Sequence, residues 1–295
     1  MSTARGPLGR DRIERAALRV LRPAVVAALL LATAFPFYYM IVLSLWDIQS
    51  LILDPASALA PPPEITLDTY REVLTPADAG GQGFGAFIRN SVAVSAATVA
   101  LTLLVAIPGA YAVARLRFFG RRQVHFLFLA TYLFPPIVVA IPLFVFFSLI
   151  GLRASLAGLA LVYIAQTLPV CVYMLRNYFE TVPRGVEEAA ALDGCGTLAT
   201  LWRVTLPLSL PALTATGLYV FMIAWNEFLF ALLFLVEDRD RWTVSLGLSQ
   251  LAGAVEVPTT VLMAGSVVLT FPVVLAFFAC ERLVTEGLTA GSERG

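Results

Sequence analysis

Six stretches of this chain contain no Asp, Glu, Lys, Arg or His: residues 23–46, 90–114, 126–152, 154–175, 205–226 and 257–280. The shortest is 22 residues long, and about 20 helical residues suffice to cross the hydrocarbon layer of a bilayer. The fifth stretch continues past Glu227 to Val236. Helix is the expected state of all six, because an unpaired backbone amide in lipid costs several kcal/mol. A transmembrane barrel would instead need segments of about ten residues with strict alternation, and these runs have none. Composition agrees: 59% of the 295 residues are apolar and 14% charged, against about 45–50% and about 25% in soluble domains. The fold class expected is an all-α, polytopic membrane protein with six transmembrane helices.

Charge sets the orientation. Net charge is zero, which offers nothing to nucleic acid, and all twenty basic residues are Arg. With the N-terminus inside, fifteen of them fall on one side, including the short-loop cluster Arg115, Arg117, Arg121 and Arg122. Only Arg71, Arg89, Arg153, Arg239 and Arg241 fall on the other. The richer side is cytoplasmic by the positive-inside rule, so both termini are expected in the cytoplasm. The first apolar run has a basic lead and an Ala32-Thr33-Ala34 triplet, but it continues to Trp46. That is too long for a signal peptide, so an uncleaved first span is expected.

Three parts follow. Residues 1–22 form a basic cytoplasmic segment suited to lie at anionic headgroups, residues 23–284 the six-helix domain, and residues 285–295 a cytoplasmic tail. Residues 47–87, with Pro61-Pro62-Pro63 and Gly80-Gly81, are the longest outer segment, expected to be a functional loop or small cap rather than a plain connector. Gly151-Leu152-Arg153 is a tight turn that should make the third and fourth spans antiparallel neighbours. Cys171, Cys195 and Cys280 share no metal-like spacing.

The stretch 180–207, between the fourth and fifth spans, carries the most information. Pro183 suits a first helical turn, and Glu187 and Glu188 favour the positive end of a helix. Ala189, Ala190 and Leu192 are strong helix formers. Beyond Asp193, Gly194 stands where a helix stops in the left-handed conformation. Thr197 can cap a second short helix running through Trp202, and Pro207 is placed to open the next span. The expected product is a compact helix–turn–helix on the cytoplasmic face.

Glu188-Ala189-Ala190, Gly194, Val204 and Leu206-Pro207 resemble the loop signature of the permease subunits of binding-protein-dependent ABC importers, with Val for the usual Ile. The resemblance implies that the short helix is a coupling helix, docked in a groove on a separate ATPase whose nucleotide-driven closure tilts the attached spans. Glu188 and Asp193 would form the polar rim of that contact, and Ala189, Ala190 and Leu192 its close-packed face. Trp225-Asn226-Glu227-Phe228, Arg176-Asn177-Tyr178-Phe179 and the ending Glu286-Gly287-Leu288-Thr289-Ala290-Gly291 are similar to the carbohydrate branch, and the ending to the second member of its maltose-type permease pair. The implied partners are a second permease, two ABC ATPase subunits and an extracytoplasmic sugar-binding protein, in a bacterial inner membrane. The implied substrate is a disaccharide such as trehalose or maltose, ahead of an oligosaccharide or glycerol phosphate.

A sugar crossing the bilayer needs hydrogen-bonding groups and flat aromatic faces inside the bundle. Asn226 and Glu227 are polar at membrane depth, and Phe221, Trp225 and Phe228 fall on one helical stripe. Tyr132, Tyr163 and Gln166 are further candidates. The alternative is that these aromatics are packing and that Glu227 is satisfied by a neighbouring helix or water. No Arg lies mid-span, which favours a neutral sugar over a phosphorylated one.

Two other classes compete. A proton-coupled secondary transporter would need a relay of intramembrane carboxylates or His, and Glu227 is the one clear candidate, with His125 at the cytoplasmic edge. A membrane-embedded hydrolase would need a metal spacing or nucleophile elbow that is absent from the sequence. The chain has no Lys and hence no P-loop. It is expected to be no enzyme and to hold no cofactor, with ATP and Mg on the partner ATPase.

Overall fold

The computed structural model describes residues 7–121, 123, 135–254 and 256–292, with side chains described for 18–121, 123, 135–254 and 256–282. Helix is the dominant element and there is no strand among the described residues. Among the described residues four helices are long and apolar enough to cross a membrane: Leu18–Ser44, Phe84–Arg115, Leu156–Thr181 and Thr259–Arg282. A bent pair, Thr197–Leu208 and Leu210–Asn226, makes a fifth span if taken together. Of the stretch 126–152, the helix Pro136–Leu149 is described, and residues 126–134, including Tyr132, lie outside the described residues, as does His125.

In chain order the helices are α1 (Pro7–Ser44), α2 (Ile48–Leu53), α3 (Asp68–Leu74), α4 (Phe84–Arg115), α5 (Pro136–Leu149) and α6 (Leu156–Thr181). There follow α7 (Arg184–Leu192), α8 (Thr197–Leu208), α9 (Leu210–Asn226), α10 (Leu229–Leu235), α11 (Val244–Gly253) and α12 (Thr259–Ser292). The long segment after the first span is thus built of short helices, with 3₁₀ turns at Pro55–Leu59 and Ala77–Ala79. The backbone of 285–292 continues the last span as helix.

By its contacts the chain divides into two units, 1–71 with 258–267, and 72–257 with 268–295. In the first, the end of α1 is tied down by polar bonds. Thr69 donates to the Ser44 carbonyl, Ser44 and Tyr70 hydroxyls meet at 2.7 Å, and Trp46 Nε1 donates to the Ala60 carbonyl at 3.1 Å. The Leu18–Ser44 face is otherwise almost wholly exposed, as a helix bathed in lipid would be.

The second unit holds the candidate site. α4, α6 and α9 pack on one another, and small or hydroxylated residues allow the close approach. Ser91, Ser95, Thr98 and Thr102 of α4 are all buried at helical spacing. Thr102 meets Thr167 of α6 at 3.3 Å. Thr98 and Thr167 return their hydroxyls to the carbonyls four residues back, so these two are satisfied without water, while the buried Ser95 hydroxyl has no hydrogen-bond partner among the described residues.

Two apolar cores lie in this unit. One gathers Phe147, Leu159, Tyr163, Phe230, Phe234 and Leu246, and the other Ile107, Tyr111, Cys171, Phe179, Leu201 and Val220. The first holds the α5–α6 connection, where Gly151 (φ +73°) turns the chain and Leu152 N–H donates to the Phe147 carbonyl. The second lies against the loop that follows α6.

Candidate functional site

The loop after α6 folds as two short helices around a glycine. α6 ends at Thr181, and α7 starts at Arg184 with Pro183 at its cap position and Glu187 in the first turn. At its end Cys195 N–H donates to the Ala190 carbonyl at 2.9 Å and Gly194 N–H to the Ala191 carbonyl at 3.1 Å. This pair of bonds is the Schellman motif, and it requires a left-handed residue at the position Gly194 holds with φ +85°. Asp193 is the C-cap.

The second helix differs in three ways from its sequence-based expectation. Gly196, not Thr197, occupies the N-cap, and Thr197 is the first helical residue with no side-chain cap. The helix does not stop near Trp202. It widens into a π-helical turn at Leu201–Thr205 and runs on to Leu208. Pro207 therefore sits inside α8. The bend into the span comes at Ser209, where α8 and α9 meet at 83° and Pro211 takes the first-turn position. The physical reason is that Ser209 spends its hydroxyl on the Thr205 carbonyl at 2.7 Å, while Leu201 and Leu206 pack into the core formed with Tyr111 and Phe179. Burial carries the helix across the proline and the turn follows it.

The candidate coupling residues divide between two faces. Glu188, Ala189, Leu192, Asp193 and Gly194 are exposed, Leu192 at 90%. Leu198 and Trp202 of α8 are exposed as well, at 66% and 44%. Ala190 is turned inward and buried, Val204 and Leu206 are half-buried, and Pro207 is exposed. Glu187 also faces inward. Its carboxylate oxygens lie 3.1 and 2.9 Å from Arg115 Nε, and it accepts from the Thr205 hydroxyl at 2.8 Å. Arg115 Nη2 donates to the Val182 carbonyl at 2.7 Å. The two side chains are 8% and 12% exposed. Beside them is a crevice of about 260 Å³ lined by Tyr111, Arg184, Glu188 and Cys195 among others.

Arg115 and Thr205 are functional candidates that sequence reasoning missed. Arg115 stands 72 residues before Glu187, and neither spacing nor composition joins them. The available signal was an Arg directly at the end of an uncharged run, with a Glu in the next loop on the same side.

The polar cluster of the fifth span is at the other core. The apolar run does not continue as one helix to Val236. α9 ends at Asn226, Glu227 is extended, and α10 begins at Leu229. The Glu227 carboxylate accepts from the backbone N–H of Phe230 and Ala231 at 2.9 and 3.2 Å, and from the Tyr163 hydroxyl at 2.7 Å. The Ser245 hydroxyl donates to the Glu227 carbonyl at 2.6 Å. Glu227 thus caps α10 across the break, meeting donors that a helix start leaves unpaired.

This break also cuts the expected aromatic stripe. Phe221 and Trp225 stack with centroids 5.6 Å apart, whereas Phe228 lies beyond the end of α9, off the helical register, because the helix stops for the cap. Trp225 is fully buried and donates from Nε1 to the Leu269 carbonyl of α12 at 2.9 Å. That carbonyl lies three residues before Pro272 in α12. Asn226 is exposed and returns its amide to the Met222 carbonyl. Gln166, half-buried in α6, has an Oε1 with no hydrogen-bond partner among the described residues.

No group of three or more His, Cys, Asp or Glu that could hold a metal occurs among the described residues.

Residues 106–285 match the family described as binding-protein-dependent transport system inner membrane component. The chain is 35% identical over 270 residues to the inner membrane ABC transporter permease protein YcjP of Escherichia coli, covering 92% of this chain and 94% of that one. It is 36% identical over 276 residues to the trehalose/maltose transport system permease protein MalG of Thermococcus litoralis, covering 92% and 96%. It is also 33% identical over 257 residues to the trehalose transport system permease protein SugB of Mycobacterium tuberculosis, covering 85% and 91%. In fold it is similar to a chain in the crystal structure of a bacterial ABC transporter that imports the acidic polysaccharide alginate, with a TM-score of 0.77, 24% identity and coverage of 96% of this chain and 99% of that one.

Proposed function

The chain belongs to the family of binding-protein-dependent transport system inner membrane components, and from that premise we propose that it is one of two permease subunits of an ATP-driven sugar importer. It forms half of the translocation pathway, with six spans and both termini in the cytoplasm. It works by alternating access, taking its energy from two separate ABC ATPase subunits and its substrate from an extracytoplasmic binding protein. The substrate is a disaccharide such as trehalose or maltose, a reading supported by the two relatives named for those sugars and by spans free of Arg at mid-depth.

The observation that carries this reading is the build of the α7–α8 loop. It closes on a left-handed glycine and presents Leu192, Leu198 and Trp202 to solvent. On this reading these large apolar side chains are the contact with the ATPase. A docking helix must be stiff to carry a push, and the Schellman bonds supply that at its end. The two acids beside the exposed leucine, Glu188 and Asp193, supply a polar rim.

Co-purification in gentle detergent tests this. Wild-type chain should bring down an ATPase and a second permease. Gly194→Pro, which cannot adopt the left-handed turn, and Glu188→Arg, which reverses the rim charge, should lose the ATPase while still inserting in the membrane. A wild-type chain that purifies alone, with transport activity of its own, would overturn the reading.

A further inference from the structure

We propose that Arg115 and Glu187 are a positioning pair that makes the docking helix and the adjacent ends of three spans move as one body, so that force applied to α7 reaches the bundle through one carboxylate. The proposal rests on the importer reading above.

The connectivity is specific. Arg115 is the last residue of α4. Val182, whose carbonyl accepts from Arg115 Nη2, is the C-cap of α6. Thr205, whose hydroxyl donates to Glu187, closes the π-helical turn of α8. The Thr205 carbonyl in turn accepts from Ser209, where the chain bends by 83° into α9. Glu187 is therefore bonded directly to α4 and α8, and through its cation to the end of α6. A π-turn inside a helix is a common mark of a functional site, and here it is the part of α8 that the carboxylate holds.

Little else ties α7 down. Its one buried residue is Ala190, a single methyl group, and Leu192, Ala189 and Glu188 all face outward. Without the pair, α7 would keep its two chain ends, that methyl and its backbone approach to α8. The pair, by contrast, is charge-assisted, uses both carboxylate oxygens and is largely withdrawn from water, the conditions under which such bonds are short and strong. Glu187 and the docking face lie on opposite sides of one helix, so attachment to the ATPase and transmission to the spans belong to different residues. That separation makes the proposal testable.

The experiment uses the complete complex in proteoliposomes and reads sugar taken up per ATP hydrolysed, with retention of the ATPase as a second readout. Glu187→Gln removes the charge and keeps the shape. The double variant Arg115→Met with Glu187→Leu removes the link while leaving no buried charge unpaired, so it guards against simple misfolding. Both should retain the ATPase as wild type does, while uptake per ATP falls about tenfold, within the range by which mutations along a coupling path act. Arg115→Lys, which keeps a charge toward Glu187 but not the fork that also reaches Val182, should fall between them and wild type. Unchanged uptake per ATP in the double variant would overturn the proposal, as would loss of the ATPase from it, which would place Glu187 in docking instead. A wild-type chain that recruits no ATPase would bring down the importer reading itself, a distinguishable failure.

Discussion

Glu187 and Glu227 are two carboxylates held inside the second unit, and their partners are of opposite kinds. Glu187 is bonded to a guanidinium and a hydroxyl from other helices. Glu227 is bonded to two backbone N–H groups within the next four residues, with one hydroxyl from α6 added. The first joins α7 to the end of α4 and to the π-helical turn of α8. The second ends one helix and starts another, and joins them mostly to themselves. The sequence shows one acid in a polar loop and the other inside an apolar run, but not which of them holds separate helices together.

Substitutions at the two carboxylates should therefore differ in size. Removing either member of the Arg115–Glu187 pair strands a buried charge, and such losses cost about 3–5 kcal/mol. Thermal unfolding in detergent should therefore drop strongly for Arg115→Ala and for Glu187→Ala. The double apolar replacement should recover most of it. If the two single losses were small and additive, Glu187 would be no more than a surface acid.

Glu227→Ala should come next. It removes the cap of α10, which such replacements usually value at about 0.5–2 kcal/mol, and leaves the Tyr163 hydroxyl without its partner. Glu227→Gln keeps an acceptor and should lose less. Equal losses for Ala and Gln would mean that the charge rather than the cap matters, and the relay expected of a proton-coupled carrier would return to consideration.

Trp225→Phe should cost about 1 kcal/mol, the typical net worth of one hydrogen bond, through the lost contact with the Leu269 carbonyl. Because Trp225 is fully buried, the affinity for sugar during transport should not change. A selective rise in the sugar concentration needed for half-maximal uptake would move Trp225 from packing to the pathway.

The smallest effect belongs to Glu180. It meets Arg176 at 3.0 Å and Arg121 at 3.6 Å, but side chains in both pairs are 20–38% exposed. Exposed pairs are worth about 0–1 kcal/mol. Glu180→Ala should hardly shift unfolding, and a shift as large as that of Glu187→Ala would erase the distinction between a holding pair and a solvated one.

The sequence spoke clearly where physics is local. Uncharged runs identify helices because lipid leaves the backbone no other partner, and Gly194 stands out because few residues accept a left-handed turn. It was silent on the bend at Ser209, since Pro207 is the stronger local breaker and the burial of Leu201 and Leu206 overrides it. The helix break at Glu227 escaped for a related reason. Apolar residues continue on both sides to Val236, and a cap made by a side chain one residue before the N-cap leaves no composition signal. Arg115 and Glu187 meet across 72 residues, and the sequence offers only that both stand at loops on the same side, which does not pair them.

Under the proposed function, this chain moves sugar only as part of an ATP-driven assembly. The most direct test is uptake of labelled trehalose and maltose into proteoliposomes, comparing the chain alone under an imposed proton gradient with the full complex, binding protein included, supplied with ATP. Uptake is expected in the second case and none in the first. Uptake by the chain alone, driven by protons and abolished in Glu227→Gln, would contradict it.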